Sequence, residues 1–296
     1  MTEVVVTGVG IVSALGNSTN DVLQSMGSGV CGVRALDDDL RGLPLSGVAK
    51  VEVDVRPLLR RRKDRKLLPR AAHLAIVAGH EAMGVHDEPQ TGLYLGVGRE
   101  PPDSKEVERA LLLSARDGVL DPHLVSSVGI SAYPPLASLK TLPNMVLAHM
   151  SIQLGITGPG CTRAGGPAAG VMALIEAWHA VSEGRCSVAI GGAADSLVDT
   201  ANARDLVRMG WLGELDAPGE AAAFLRLESL ERALDRGATP LATITRGHSV
   251  ACASLDYRSP IDVDHGWCGS AAGVLSIAIQ IAMGQSGEVV AADPTG

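Results

Sequence analysis

Short apolar runs bounded by glycine alternate along this chain with alanine-rich helical stretches, and that alternation limits the fold more than any other feature. Val4-Val5-Val6-Thr7-Gly8 is the first run, Gly92-Leu93-Tyr94-Leu95-Gly96 the second, and Ser187-Val188-Ala189-Ile190 before Gly191-Gly192 the third. Runs this short and this apolar are the pattern of strands covered on both faces. Between them, residues 70–83 and 168–182 read as helices, the second closed by Gly184. Asn20-Asp21 offers an N-cap for a shorter helix that carries Val22, Leu23 and Met26 on one face and stops at Gly27. Further on, 221–227 and 241–245 read as strands, 229–236 as a short helix and 271–283 as the last helix. Strands alternating with helices predict an α/β fold with a largely parallel sheet.

The composition excludes several functions. A net charge of −8 argues against a general nucleic-acid binder, which would be basic. Three Trp, three Tyr and one Phe are too few for stacking platforms on bases or sugars. Cys31, Cys161, Cys186, Cys252 and Cys268 are scattered and odd in number, the pattern of reduced thiols, so a cytoplasmic location is expected. The first residues lack a basic n-region and a cleavage site, and no window holds eighteen uninterrupted apolar residues, so neither a leader nor a membrane span is expected.

One local reversal of sign stands out. Between Arg56 and Arg70 lie Arg60, Arg61, Arg62, Lys63, Arg65 and Lys66, against a single acid, Asp64. Such a run is a solvated face or a contact for an acidic partner. Gly8, Gly10 and Gly16 lack the dinucleotide-binding spacing, and no cofactor is expected. His265 and Cys268 lie near Asp262 and Asp264, but no second ligand pair stands at zinc-like spacing, so no metal is expected either. His149 and His179 sit in apolar surroundings and read as core or interface histidines.

Five segments, taken in order, resemble the β-ketoacyl synthases, the condensing enzymes of the thiolase fold. They are VVVTGVGIVSALG at 4–16, LKTLPNMVLAHMSIQLGITGP at 139–159, the stretch 170–194 with GRCSVAIGGAAD at 184–195, GEAAAFLRLESLERALDRG at 219–237, and the glycine-rich piece 266–276. The resemblance implies a layered αβαβα thiolase-like fold, with residues 1–237 as its first half and 238–296 as a reduced second half. It also implies an interface across a two-fold axis, on Cys161, Thr162, Arg163, Ala164 and Gly165 with Asn144, Met145 and His149 beside them.

Family members place a nucleophilic cysteine at a strand-to-helix turn, where the helix dipole lowers its pKa. By the resemblance that place falls on Pro167 here, the second histidine's place on Trp267 and the preceding lysine's on Asp262. The first histidine's segment has no counterpart between Arg246 and Asp262. A non-catalytic subunit is therefore expected, similar to a chain-length factor. It would pair with an active β-ketoacyl synthase, receive an acyl carrier protein on the basic run, and shape the tunnel for the growing chain. The other reading is a diverged acyltransferase or hydrolase with Cys161 or Cys268 as a replacement nucleophile.

Overall fold

The structure is a computed structural model that describes residues 2–84, 88, 90–102, 104–245 and 262–287. Its centre is a six-stranded sheet. In chain order the strands are β1 (Val4–Val12), β2 (Gly92–Val97), β3 (Gly160–Ala164), β4 (Val188–Ser196), β5 (Glu220–Ser229) and β6 (Ala242–Ile244), and across the sheet they run β3-β2-β4-β5-β1-β6. The principal helices are α1 (Thr19–Gly27), α2 (Arg70–Met83), α3 (Ser104–Leu113), α4 (Asn144–Leu154), α5 (Ala169–Ser182), α6 (Thr200–Arg208), α7 (Leu230–Asp235) and α8 (Ala272–Ala282).

The sheet is mixed rather than largely parallel. β2 runs parallel to β3 and β4, whereas β5 runs antiparallel to both β4 and β1, and β6 is antiparallel to β1. Alternation of strands and helices misleads here because β5 enters from the α6 segment in the opposite sense to β4. Only the β2–β3–β4 group keeps the parallel arrangement.

Helices cover both faces. On one, α2 and α4 bury Leu74, Ile76, Val146 and Met150 against Leu93, Leu95 and Phe224. On the other, α5 and α8 bury Leu174, Ala177, Val274 and Leu275 against Val4, Ala189 and Leu225, and α1 adds Val22. These are three layers of the thiolase-like arrangement, helices, sheet and helices. Residues 242–244 and 272–282, from the expected second half, belong to this same core: β6 extends the sheet at β1, and α8 lies over β5.

Glycine does not end β1, as its sequence suggested. The strand runs through Gly8 and Gly10 to Val12, because α2 crosses it so closely that a methyl group at either glycine would strike the carbonyl oxygen of Ala82 or Ala78. The α1 cap also differs from the expected Asn20-Asp21: Ser18 is the N-cap, and its hydroxyl accepts from the Asp21 N–H at 3.1 Å. No helix of the described residues is long and apolar enough to cross a membrane.

Candidate functional site

Parallel strands in an α/β sheet open their ligand sites beyond their carboxyl ends. Here β2, β3 and β4 end together, and a cleft of about 530 Å³ lies there. Gly98, Arg99 and Glu100 follow β2, Gly165, Gly166 and Pro167 follow β3, and Asp195 closes β4; all seven line the cleft. The opposite wall is apolar, built from Leu206, Met209 and Trp211 with Trp267 and Ser270 at its end. The two indole rings meet edge to face, with centroids 5.8 Å apart and planes at 77°.

Pro167 and Trp267, far apart in sequence, therefore wall one chamber. Pro167 is buried, two residues before α5, in the turn that feeds the helix. Ser270 holds that turn: its hydroxyl donates to the carbonyls of Gly166 at 3.2 Å and Gly165 at 3.4 Å, and its N–H donates to Asp195 Oδ2 at 2.8 Å. The start of α5 fits tightly against the sheet, since a methyl group on Gly96 would overlap Gly170. The N-cap residue, Ala168, has no side chain that could cap the helix. Proline, lacking an N–H, suits such a place, but it brings no nucleophile. Asp262 opens a four-residue helical turn, Asp262–His265; residues 246–261, where no counterpart to the first histidine's segment is expected, and Cys252 with them, lie outside the described residues.

Two acids at the chamber floor were not anticipated from the sequence. Glu100 is 9% exposed and Asp195 3%. Burial pushes the Glu100 carboxyl up to about 8, helped by the nearby Asp195 charge and opposed by backbone N–H groups at the start of α2. Burial likewise raises Asp195 to about 6, against hydrogen bonds from Ser270 and Ser196. A methyl group on Gly98 or Gly269 would collide with the Asp195 carboxylate, so this acid fits only between glycines. The detectable signal was an acid closing a fully buried strand, Ala193-Ala194-Asp195.

Neither candidate replacement thiol lines this chamber among the described residues. Cys161 lies in β3, half-buried beside α5, and burial raises its thiol pKa, only partly countered by Arg163. Cys268 is 1% exposed and directs its Sγ at the carbonyls of Gly266 (3.3 Å) and His265 (3.6 Å). His265 is fully buried with neither ring nitrogen hydrogen-bonded among the described residues, and burial lowers its pKa to about 4.

The expected interface residues fall on one side of the molecule. Cys161, Thr162, Arg163 and Ala164 form β3, an edge strand paired only with β2 among the described residues, and Gly165 follows it; Arg163 is held by Glu176 of α5. Asn144, Met145 and His149 lie on α4, which also contacts β3. His149 is buried; a backbone hydrogen bond at Leu67 engages it, and its Nε2 has no partner among the described residues. His179 is only half-buried and faces Glu183 at 3.4 Å.

The basic run splits into two classes. Arg56 pairs with Asp54 at 2.7 Å, Arg61 with buried Asp64 at 3.3 Å, and Arg70 with buried Glu220 at 2.6 Å. Arg60, Arg62, Lys63, Arg65 and Lys66 are exposed and make no ion pair among the described residues. Their turn is clamped to the end of α4: Gln153 accepts from the Arg60 N–H at 2.8 Å, and the Arg60 guanidinium lies over Gly155. The basic turn and the expected interface helix are thus neighbours.

Comparison with known proteins agrees with this architecture. Nodulation protein E of Rhizobium leguminosarum bv. trifolii is 28% identical over 268 residues, covering 82% of this chain and 62% of that protein. The 3-oxoacyl-[acyl-carrier-protein] synthase 2 of Synechocystis sp. is 24% identical over 291 residues, covering 88% and 65%. This chain thus spans a little over six-tenths of the length of these relatives. Among solved structures, the ishigamide ketosynthase/chain length factor superposes with a TM-score of 0.67 at 20% identity, covering 82% of this chain and 62% of that one. A type II polyketide synthase acyl-carrier protein in complex with its ketosynthase gives 0.63 at 22% identity, covering 83% and 68%. Both structural likenesses establish the thiolase fold of the synthases. The family model for the β-ketoacyl synthase N-terminal domain matches residues 1–226, through every strand that builds the chamber. The chain belongs to the β-ketoacyl synthase N-terminal domain family.

Proposed function

We propose that this chain is a non-catalytic ketosynthase-like subunit that pairs with an active β-ketoacyl synthase and shapes the chamber in which that enzyme's acyl chain grows. The observation that carries the reading is buried Pro167 at the foot of α5, facing the same chamber as Trp267. By the family resemblance these are the places of the nucleophile and a histidine. A prolyl ring accepts no acyl group, and an indole neither takes a proton from nor returns one to a carbonyl substrate.

The surface supports partnership. Leu111, Leu112 and Leu113, with Val119, Leu120 and Ile130, are large apolar residues left exposed on one excursion between β2 and α4. Monomers seldom leave apolar patches beyond a few hundred Å² uncovered. The excursion leads into α4, which contacts β3, and this continuity supports docking of the partner subunit here. The exposed cations of the 60–66 turn, Arg61 among them, supply the contact for an acidic carrier protein. Structural neighbours that include an acyl-carrier protein complex and a chain length factor are in accord with both partners.

Incubation with acyl-carrier and acyl-CoA thioesters followed by intact-mass measurement tests the loss of acyl transfer. The expected spectrum shows the unmodified mass. A stable acyl adduct mapped to Cys161 or Cys268 would overturn the reading in favour of a replacement nucleophile.

A further inference from the structure

We propose that Glu100 and Asp195 make the floor of the chamber a recognition site for an uncharged carbonyl compound with an apolar body, an amide or ester rather than a free carboxylate, with Glu100 donating the hydrogen bond. The inference rests on reading the cleft as a ligand chamber, and it adds which form of ligand the chamber takes.

The geometry divides the labour between the two acids. Asp195 is committed to the protein, because Oδ1 accepts from the Ser196 N–H at 2.9 Å and Oδ2 from the Ser270 N–H at 2.8 Å. Glu100 accepts at Oε1 from the Ala71 N–H at 3.1 Å, which caps α2 from another element, and the residue lines the cleft. Carboxylates near one another cannot both ionise cheaply in a dry site, so near neutral pH the pair keeps one proton, held by Glu100 at about 8 with Asp195 at about 6. A protonated carboxyl is a donor, and a ligand carbonyl is the acceptor it lacks.

The surrounding charges exclude an anion. Arg99, the one cation of the chamber lining among the described residues, is paired with Asp205 across the cleft. Arg70, which faces Glu100 from α2, is bound through two nitrogens to Glu220. Asp199, at the start of α6, adds a further negative charge toward both acids. A ligand carboxylate would therefore meet acids and no free guanidinium among the described residues. The walls of Leu206, Met209, Trp211, Pro167 and Trp267 suit an apolar body, and 530 Å³ is within the size of small-molecule pockets.

Calorimetric titration of the purified chain with octanamide and with octanoate tests this. At pH 6.5 octanamide is expected to bind at least tenfold tighter than octanoate, and its affinity to fall at least fivefold between pH 7 and 9.5 as Glu100 loses its proton. Glu100→Gln keeps a neutral donor, so it is expected to hold octanamide with a flat pH profile, while Glu100→Ala weakens it at least fivefold. If the alanine variant fails to fold, the glutamine variant and the wild-type pH profile decide. Equal binding of octanoate, a flat wild-type profile, or no heat with octanamide up to its solubility limit would each overturn the proposal. Capture of a synthase is a separate readout: its failure leaves this result standing, and its success does not rescue it.

Discussion

Glu100 concentrates the residue-scale physics of this molecule. A carboxyl whose folded pKa is raised to about 8 holds its proton longer in the folded than in the unfolded state. The stability it contributes is present below its ordinary value of 4.5 and is lost as pH climbs through 8. His265 works on the acid side: its folded pKa is depressed to about 4, so stability present above 6.5 is lost as pH falls toward 4. Glu100→Gln removes only the alkaline loss. Thermal unfolding followed from pH 5 to 9 should show the variant gaining about 3–4 kcal/mol on the wild type across that range; parallel profiles would show that Glu100 is not held protonated. Neither acid was legible in advance, because a buried carboxyl has no motif when its partners are backbone N–H groups from distant elements. Pro167 and Trp267 were legible as candidates because the resemblance supplied a place for each, but their sharing of one chamber came only from the fold.

Elements were readable where local pattern and packing agree. The alanine-rich stretch at 70–83 is α2 to the residue, since its small side chains both favour helix and allow it to lie close on the sheet. The same closeness hid the length of β1: glycine ends strands in isolation, yet here it is what lets a strand pass beneath α2. Gly10→Ala puts a methyl group against the Ala78 carbonyl with no flexible side chain to yield. It should cost at least about 2 kcal/mol in chemical denaturation, more than overpacking at a yielding site. A change under about 0.5 kcal/mol would mean that α2 can retreat from β1. β3 escaped the periodicity because Gly160-Cys161-Thr162-Arg163-Ala164 carries little β-branched character, and only the resemblance pointed to it. The reversed direction of β5 was invisible for another reason: nothing local to a strand encodes which way its neighbour runs.

At the scale of the whole molecule, the features that bear on the proposed partnership lie at the surface. Among the described residues β3 leaves a sheet edge open, α4 lies beside it, and the 60–66 turn is fastened to the end of α4. Exposed leucines and an isoleucine also mark the excursion that precedes α4. Together they describe a chain that keeps the fold of the synthase N-terminal domain, holds a buried proline in the turn before α5, and presents an apolar flank on that excursion. A partner interface of about 800 Å² per subunit would suffice to cover that flank. Co-expression with a β-ketoacyl synthase from the same gene neighbourhood, and then size-exclusion chromatography with light scattering, tests the claim most directly. A one-to-one complex that survives purification is the predicted result, and a stable homodimer of this chain that ignores the synthase would contradict it.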